Sequence, residues 1–282
     1  MKRKIESIYP LSPMQQGMLF HSLYAPESGV YIEQMILNLK GSVNVATFER
    51  AWQKVVDRYS VLRTLFVWEN RQAPLQIVLK QVNLPWTNLD WLLLSTTEQK
   101  QQLSELLQAQ KRLGFQFNQA PLMRCTLIKL SEDTYKFIWN HHHILMDGWC
   151  LPIIFKEVLS FYEAELGGET CYLPTPRPYH DYIAWLNDQD YVAASEFWRQ
   201  TLYGFSHPTP LTLNKTQYQD QQQDSDYHEL ELHLSAEVSL KLQSVAQQHH
   251  LTLSTIVQAA WGLLLSRYSG ETDVVFGVTV SG

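Results

Sequence analysis

Cysteine is scarce in this sequence. Its three residues in 282 (Cys125, Cys150 and Cys171) are odd in number, widely spaced and without a C-x-x-C pair. That pattern excludes a disulfide framework and reads as free thiols in a reducing, cytoplasmic compartment. Long apolar runs are missing as well. The best candidate, around Ile256 to Leu265, is broken by Gln258 and Gly262 and falls short of the roughly 20 residues a membrane-spanning helix needs. The opening Met1-Lys2-Arg3-Lys4 is basic but no apolar stretch follows it, so it is not a secretory signal. Positive charge is not in excess: 22 Lys and Arg against 28 Asp and Glu give a net charge of −6, which argues against a broad nucleic-acid footprint. The chain also lacks G-x-x-x-x-G-K, G-x-G-x-x-G and G-x-S-x-G. Neither a nucleotide phosphate cradle, a dinucleotide fold nor a serine nucleophile elbow is therefore expected.

Apolar material is plentiful, with 45% hydrophobic and 12% aromatic residues, nine Trp and fourteen Tyr among them. A packed core is expected, and the length suggests about two domains at roughly 150 residues each. Strands are predicted at Ile32 to Lys40, Leu62 to Trp68, Leu75 to Lys80, Leu122 to Leu130 and Tyr135 to Asn140, from alternation and turn signals. Asn44 to Arg58 places Phe48, Trp52, Val55, Val56 and Tyr59 at helical spacing. Further helices are predicted at Thr96 to Arg112, Trp149 to Leu166, Tyr179 to about Tyr203, Ser235 to His250 and Ser254 to Tyr268. The Gly- and Pro-rich run Gly167 to Pro178 reads as a linker. It divides the chain into an N-terminal lobe, 1–175, and a second lobe, 176–282. His207 to Asp226 reads as a polar loop, Tyr227 to Leu234 as a strand and Asp273 to Val280 as a closing strand. A sequence ending directly after such a strand suggests that the second lobe is partial. The class is α/β or α+β in two lobes.

The densest chemical signal is Trp139-Asn140-His141-His142-His143-Ile144-Leu145-Met146-Asp147-Gly148-Trp149, between a strand and a helix. On extended backbone His141 and His143 share one face and His142 takes the other, so one ring of the pair is presented and its neighbour packed. A neutral imidazole suits a general base. A metal site is disfavoured, because a strand cannot aim three successive rings at one ion. His142 reads as a satisfied core histidine. Asp147 could cap the following helix or pair with a cation, and Gly148 permits a tight turn.

His142-His143-Ile144-Leu145-Met146-Asp147-Gly148 matches H-H-x-x-x-D-G, and three further segments match in order. They are Leu11-Ser12-Pro13-Met14-Gln15-Gln16-Gly17-Met18-Leu19-Phe20, Arg58-Tyr59-Ser60-Val61-Leu62-Arg63-Thr64-Leu65-Phe66 and Tyr179-His180-Asp181-Tyr182-Ile183-Ala184-Trp185. On these motifs the chain resembles the condensation domains of non-ribosomal peptide synthetases, with the two-lobed chloramphenicol-acetyltransferase-like fold. Tyr59-Ser60 departs from the family's usual His-Glu. The resemblance implies peptide-bond formation between two thioesters held on the phosphopantetheine arms of donor and acceptor peptidyl carrier proteins, in a system that includes an adenylation domain. No directly bound cofactor is expected, and neither nucleic acid nor membrane is expected as a partner. It implies that His143 is catalytic, as general base or by positioning the amine, with His142 in support. It further implies an Asp147–Arg63 ion pair holding the histidine turn, and clearance at Gly148 for an incoming arm. Trp149 reads as a packing residue, and Tyr179, Asp181, Tyr182 and Trp185 as lobe packing. Two other readings stay open: a free-standing acyltransferase using a soluble acyl thioester, and an inactive fragment that only docks carriers.

Overall fold

A computed structural model describes residues 5–211 and 230–280. In chain order the elements up to residue 189 are β1 (Ile5–Pro10), α1 (Pro13–Tyr24), β2 (Ile32–Lys40), α2 (Val45–Arg58), β3 (Thr64–Val67), β4 (Leu75–Leu79), β5 (Trp86–Asp90), α3 (Thr96–Leu113), β6 (Met123–Lys129), β7 (Thr134–His142), α4 (Cys150–Leu166) and α5 (Tyr179–Asn187). They form one compact unit, Met1–Gln189, and the remainder forms a second, Asp190–Gly282.

The first unit is built on a four-stranded sheet in the order β2-β7-β6-β5. Strands β2 and β7 pair antiparallel from Ile32 opposite His142 to Lys40 opposite Thr134. The edge strand β5 is parallel to β6, and α3 makes the crossover that a parallel pair requires. Because helices cover both faces, β7 is apolar on both. Phe137 and Trp139 meet Phe48 and Trp52 of α2, with ring centroids 5.1 Å (Phe48–Phe137) and 4.8 Å (Trp52–Trp139) apart, and Phe155 of α4 closes on Trp139 at 5.6 Å. On the opposite face Ile138 packs with Ile128, Trp91 and the leucines of α3. A second sheet, β1-β4-β3, is antiparallel throughout.

Helix α2 follows the expected spacing. Phe48, Trp52, Val55 and Val56 are buried, and the Asn44 side chain caps it by accepting from the Thr47 N–H at 3.1 Å. Tyr59 lies one residue past its end. Helix α4 stops where Gly168 takes the left-handed conformation (φ +69°), which glycine adopts without a Cβ penalty.

Five sequence expectations change. Leu62 to Trp68 begins as a 3-10 turn, Ser60–Arg63, before strand β3. The helix expected from Tyr179 to Tyr203 is two helices, α5 and α6 (Tyr191–Thr201), because Asp190 caps the second by accepting from the Ala193 N–H at 2.8 Å. Strands β1 and β5 are additions that alternation does not predict. The expected strand Tyr227 to Leu234 reaches outside the described residues, and its described part, 230–234, is not a strand. Asp273 to Val280 is not a strand either. A strand exists only through its ladder, and the contact made here is a pair of hydrogen bonds between the Thr209 hydroxyl and the Val275 backbone, N–H at 2.9 Å and carbonyl at 3.2 Å. The polar segment His207 to Asp226 lies outside the described residues beyond residue 211. The second unit's other helices are α7 (Ala236–Gln248) and α8 (Leu253–Ser269).

Candidate active site at the histidine turn

Strand β7 runs two residues further than its apolar pattern suggests, so His141 and His142 are both ladder residues and the turn begins at His143. Alternation then sorts the side chains. His141 lies on the face of Trp139, stacked on it at 4.5 Å and buried. His142 lies on the other face, 2% exposed, edge-on to Phe117 at 4.9 Å.

Both ring nitrogens of His142 are committed. Nδ1 accepts the Ile144 N–H at 3.1 Å, so the neutral ring carries its proton on Nε2. That proton points to the Ser22 hydroxyl, 3.2 Å away, which in turn donates to the Met18 carbonyl at 2.8 Å. Burial holds the His142 imidazole at about 4, with the His143 and His141 rings adding to the effect. His141 is held at about 4 by burial and then by His143. Both rings are therefore neutral near pH 7.

His143 differs. Its backbone is fixed, with the N–H donating to the Tyr31 carbonyl at 2.8 Å and the carbonyl accepting from Met146 at 3.2 Å. Its half-buried ring has no hydrogen-bond partner among the described residues, and Nδ1 is shielded from solvent. A shielded nitrogen without a partner is costly unless something supplies one. His143 is thus the histidine of the pair whose ring nitrogens are left without a partner among the described residues.

The opening motif supports this turn. Ser12, Pro13 and Gln15 start α1 with a reciprocal capping box, the S-x-x-Q pattern of helix N-termini. The buried Gln15 amide then donates to the Ile144 carbonyl at 3.1 Å and accepts from Gln76 at 3.0 Å. Sequence reasoning missed Gln15, Ser22 and Tyr31 as supports. The capping box was readable, whereas the contacts of Ser22 and Tyr31 leave no local signal.

Arg63 and Asp147 are not brought together, which corrects the expected ion pair. The buried Arg63 guanidinium donates to Glu6 of β1 at 2.6 Å and to the Leu79 carbonyl of β4, so it ties the smaller sheet. Glu6 reaches it from β1, on the far side of β4, and satisfies the charge locally. Asp147 instead accepts the Trp149 N–H at 3.0 Å and the Cys150 thiol at 3.5 Å, holding the entry to α4. Gly148 is exposed, its φ is not positive, and an added Cβ would meet nothing within 4 Å. No tight turn requires glycine there. Trp149, expected to pack, is 73% exposed. Helix α5 buries Ile183 and sets His180 against Tyr9 at 5.9 Å, while Tyr182 and Trp185 stack at 5.7 Å and stay partly exposed. Burial raises the Tyr179 phenol above the usual tyrosine range, and nearby Asp147 adds to this. The fourth motif therefore lies close to the turn.

A cavity of about 500 Å³ abuts the His142 ring, walled by Val30, Ile32, Trp68, Phe115 and Phe117, with Arg112 also lining it. Cys125, Cys150 and Cys171 are free thiols. No helix among the described residues is long and apolar enough to cross a membrane.

The model of the condensation domain family matches residues 5–282. A linear gramicidin synthase protein from Brevibacillus parabrevis is 46% identical over 281 residues, 99% of this chain and 6% of that protein. Bacitracin synthase 1 from Bacillus licheniformis is 37% identical over 280 residues, covering 99% of this chain and 5% of that protein. Among solved structures, the condensation domain of the monacolin K polyketide synthase superposes with a TM-score of 0.73 at 18% identity, over 95% of this chain and 61% of the other. The chain thus spans only a small part of these curated relatives and somewhat under two thirds of that solved chain. Motifs, fold and matched length agree: the chain belongs to the condensation domain family.

Proposed function

We propose that this chain forms peptide bonds between two carrier-bound thioesters in non-ribosomal peptide synthesis. The amine nitrogen of the acceptor aminoacyl group attacks the donor's thioester carbonyl. The C–N bond forms, the C–S bond breaks, and the proton lost by the amine ends on the departing thiol. No acyl-enzyme is required, because the thioester already activates the acyl group. The observation that carries this reading is the division between the two histidines. His142 has spent both ring nitrogens on Ser22 and Ile144, whereas the His143 ring is held on fixed backbone with none spent. His143 is the catalytic residue, either accepting the amine's proton or hydrogen-bonding the amine into line. An α-amino group has a pKa near 8, so part of it is neutral at pH 7, and orientation alone is worth several kcal/mol.

His142 and Asp147 act as structural supports of the turn, Arg63 as a support of the neighbouring sheet, and Gly148 leaves room for an arm. Residues 1–175 make the lobe that carries the motif and residues 176–282 a second lobe, of which α5 belongs to the compact unit Met1–Gln189. The partners are donor and acceptor peptidyl carrier proteins, with an adenylation domain loading them, in the cytoplasm where free thiols persist. The chain itself holds no cofactor.

The test is transfer between loaded carriers, read as intact mass. The acceptor carrier should gain the donor acyl group with the chain present and fail to gain it with His143→Ala. Transfer from a coenzyme A donor with none from a carrier-bound donor would favour the soluble-thioester acyltransferase. Carrier binding without transfer from either donor would mark an inactive docking fragment.

A further inference from the structure

Tyr31 sits in a conformation that its side chain disfavours. It precedes β2 with φ +65°, in the left-handed region where a Cβ is crowded. The turn that contains it is closed by the Ile32 N–H on the Gly29 carbonyl at 3.2 Å. A positive φ at the third residue of such a turn is the place for glycine or asparagine, not for a bulky aromatic. A strained residue persists only where its surroundings hold it, and three contacts do so. The Tyr31 hydroxyl is 3.0 Å from Nδ1 of His21 on α1, and those two rings stack at 6.2 Å with planes 5° apart. The Tyr31 ring also lies 6.1 Å from the His142 ring, tilted at 55°. What the strained backbone delivers is the carbonyl that accepts the His143 N–H at 2.8 Å. This bond carries the β2–β7 pairing one residue beyond Ile32–His142.

We propose that Tyr31 is a positioning residue: its side chain, clamped to His21, holds a left-handed backbone whose carbonyl aims His143. The inference rests on the reading of His143 as the group that meets the acceptor amine. Glycine at this position would relieve the crowding, so the tyrosine is kept at a steric disadvantage. The return is that its ring and hydroxyl remove the freedom a glycine would have, and with it freedom in the first residue of the histidine turn.

Three variants separate this from a role in stability alone. Tyr31→Gly relieves the strain and removes the clamp. Tyr31→Phe keeps the ring and loses only the bond to His21, and His21→Ala loses the same bond from the other side. Tyr31→Gly is expected to keep the wild-type melting temperature or raise it, while kcat for transfer between loaded carriers falls at least tenfold and KM for the loaded acceptor changes less than threefold. Tyr31→Phe and His21→Ala should each lower kcat two- to fivefold, and the double variant should be no worse than either alone. An activity-independent readout accompanies these. In the chain labelled with ¹⁵N-histidine, the His143 ring should give one sharp set of resonances in the wild type and a broadened or doubled set in Tyr31→Gly. Wild-type kcat in Tyr31→Gly, or a loss of activity that follows a loss of melting temperature, overturns the proposal. So does an unchanged His143 spectrum. A chain inactive with loaded carriers whose His143 spectrum still responds to Tyr31→Gly would instead overturn the function and leave the positioning intact.

Discussion

Two adjacent histidines with the same chemistry differ here in what their nitrogens already do. At pH 7 His142→Ala should cost about 2–4 kcal/mol, since it removes a buried ring, strands the Ile144 N–H and takes one of two partners from the Ser22 hydroxyl. His143→Ala should cost less than about 1 kcal/mol, because no hydrogen bond is lost, while abolishing transfer. Chemical denaturation of both variants alongside the transfer assay checks this, and equal stability losses would contradict it. The same residues set a pH dependence. His141 and His142 are held at about 4 in the folded chain, against about 6.5 when unfolded. Between those values the unfolded state binds protons that the folded state does not, so stability falls as pH drops from about 6.5 to about 4 and then levels off. Each ring contributes roughly 3 kcal/mol to that fall, at about 1.4 kcal/mol per pKa unit. Denaturant midpoints from pH 4 to 7 should follow this slope, and His142→Gln, which puts a hydrogen-bonding amide in place of the imidazole but does not titrate, should reduce it by about half.

At the scale of elements, the turn is held from α1 rather than from the small sheet. Gln15→Ala would strip partners from the Ile144 carbonyl, the Gln76 amide and the Ser12 N–H together. The expected loss is about 2–3 kcal/mol at roughly 1 kcal/mol per bond, read from urea denaturation. Arg63 and Asp147 serve different elements, Arg63 joining β1 to β4 and Asp147 starting α4. Their alanine variants should therefore add to within about 0.5 kcal/mol; a coupling energy well above that would restore the ion pair read from the motif. These elements also mark what the sequence makes legible. Helix α2 is readable because Phe48, Trp52, Val55 and Val56 repeat along one buried stripe. The histidine turn is readable because the chemistry and spacing are local to seven residues. The end of β7 is not, because His141 and His142 continue a ladder without continuing the apolar pattern. Strands β1 and β5 are sheet edges, where IESIYP and WTNLD carry polar residues that mask alternation. The partner of Arg63 is not legible at all: Glu6 stands 57 residues away in sequence, and only the β1-β4-β3 order brings it near.

At the scale of the molecule, the two units differ in how much apolar surface each buries within itself. The first has a continuous core from Leu11 to Val158, with Trp52, Phe66, Phe137 and Trp139 at 0% exposure. In the second, Ala246 and Leu265 are the buried apolar residues among those described, while Trp198, Leu240, Val257, Trp261 and Leu263 are each more than 40% exposed. Burial is the main favourable term in folding, at about 25 cal/mol per Å² of apolar surface. A unit that leaves its large side chains in water has little with which to oppose chain entropy. Local opening free energies then follow the density of buried contacts. Backbone amides of β2, β6 and β7 should exchange with deuterium only through global unfolding, whereas those of α6, α7 and α8 should exchange at least a hundredfold faster through local opening. Hydrogen exchange read by mass spectrometry on the 282-residue chain measures both sets at once. Equal protection in the two would mean that the helices of the second unit are held by something other than their own packing, and the exposed faces of α6 and α8 would then be the place to look for it.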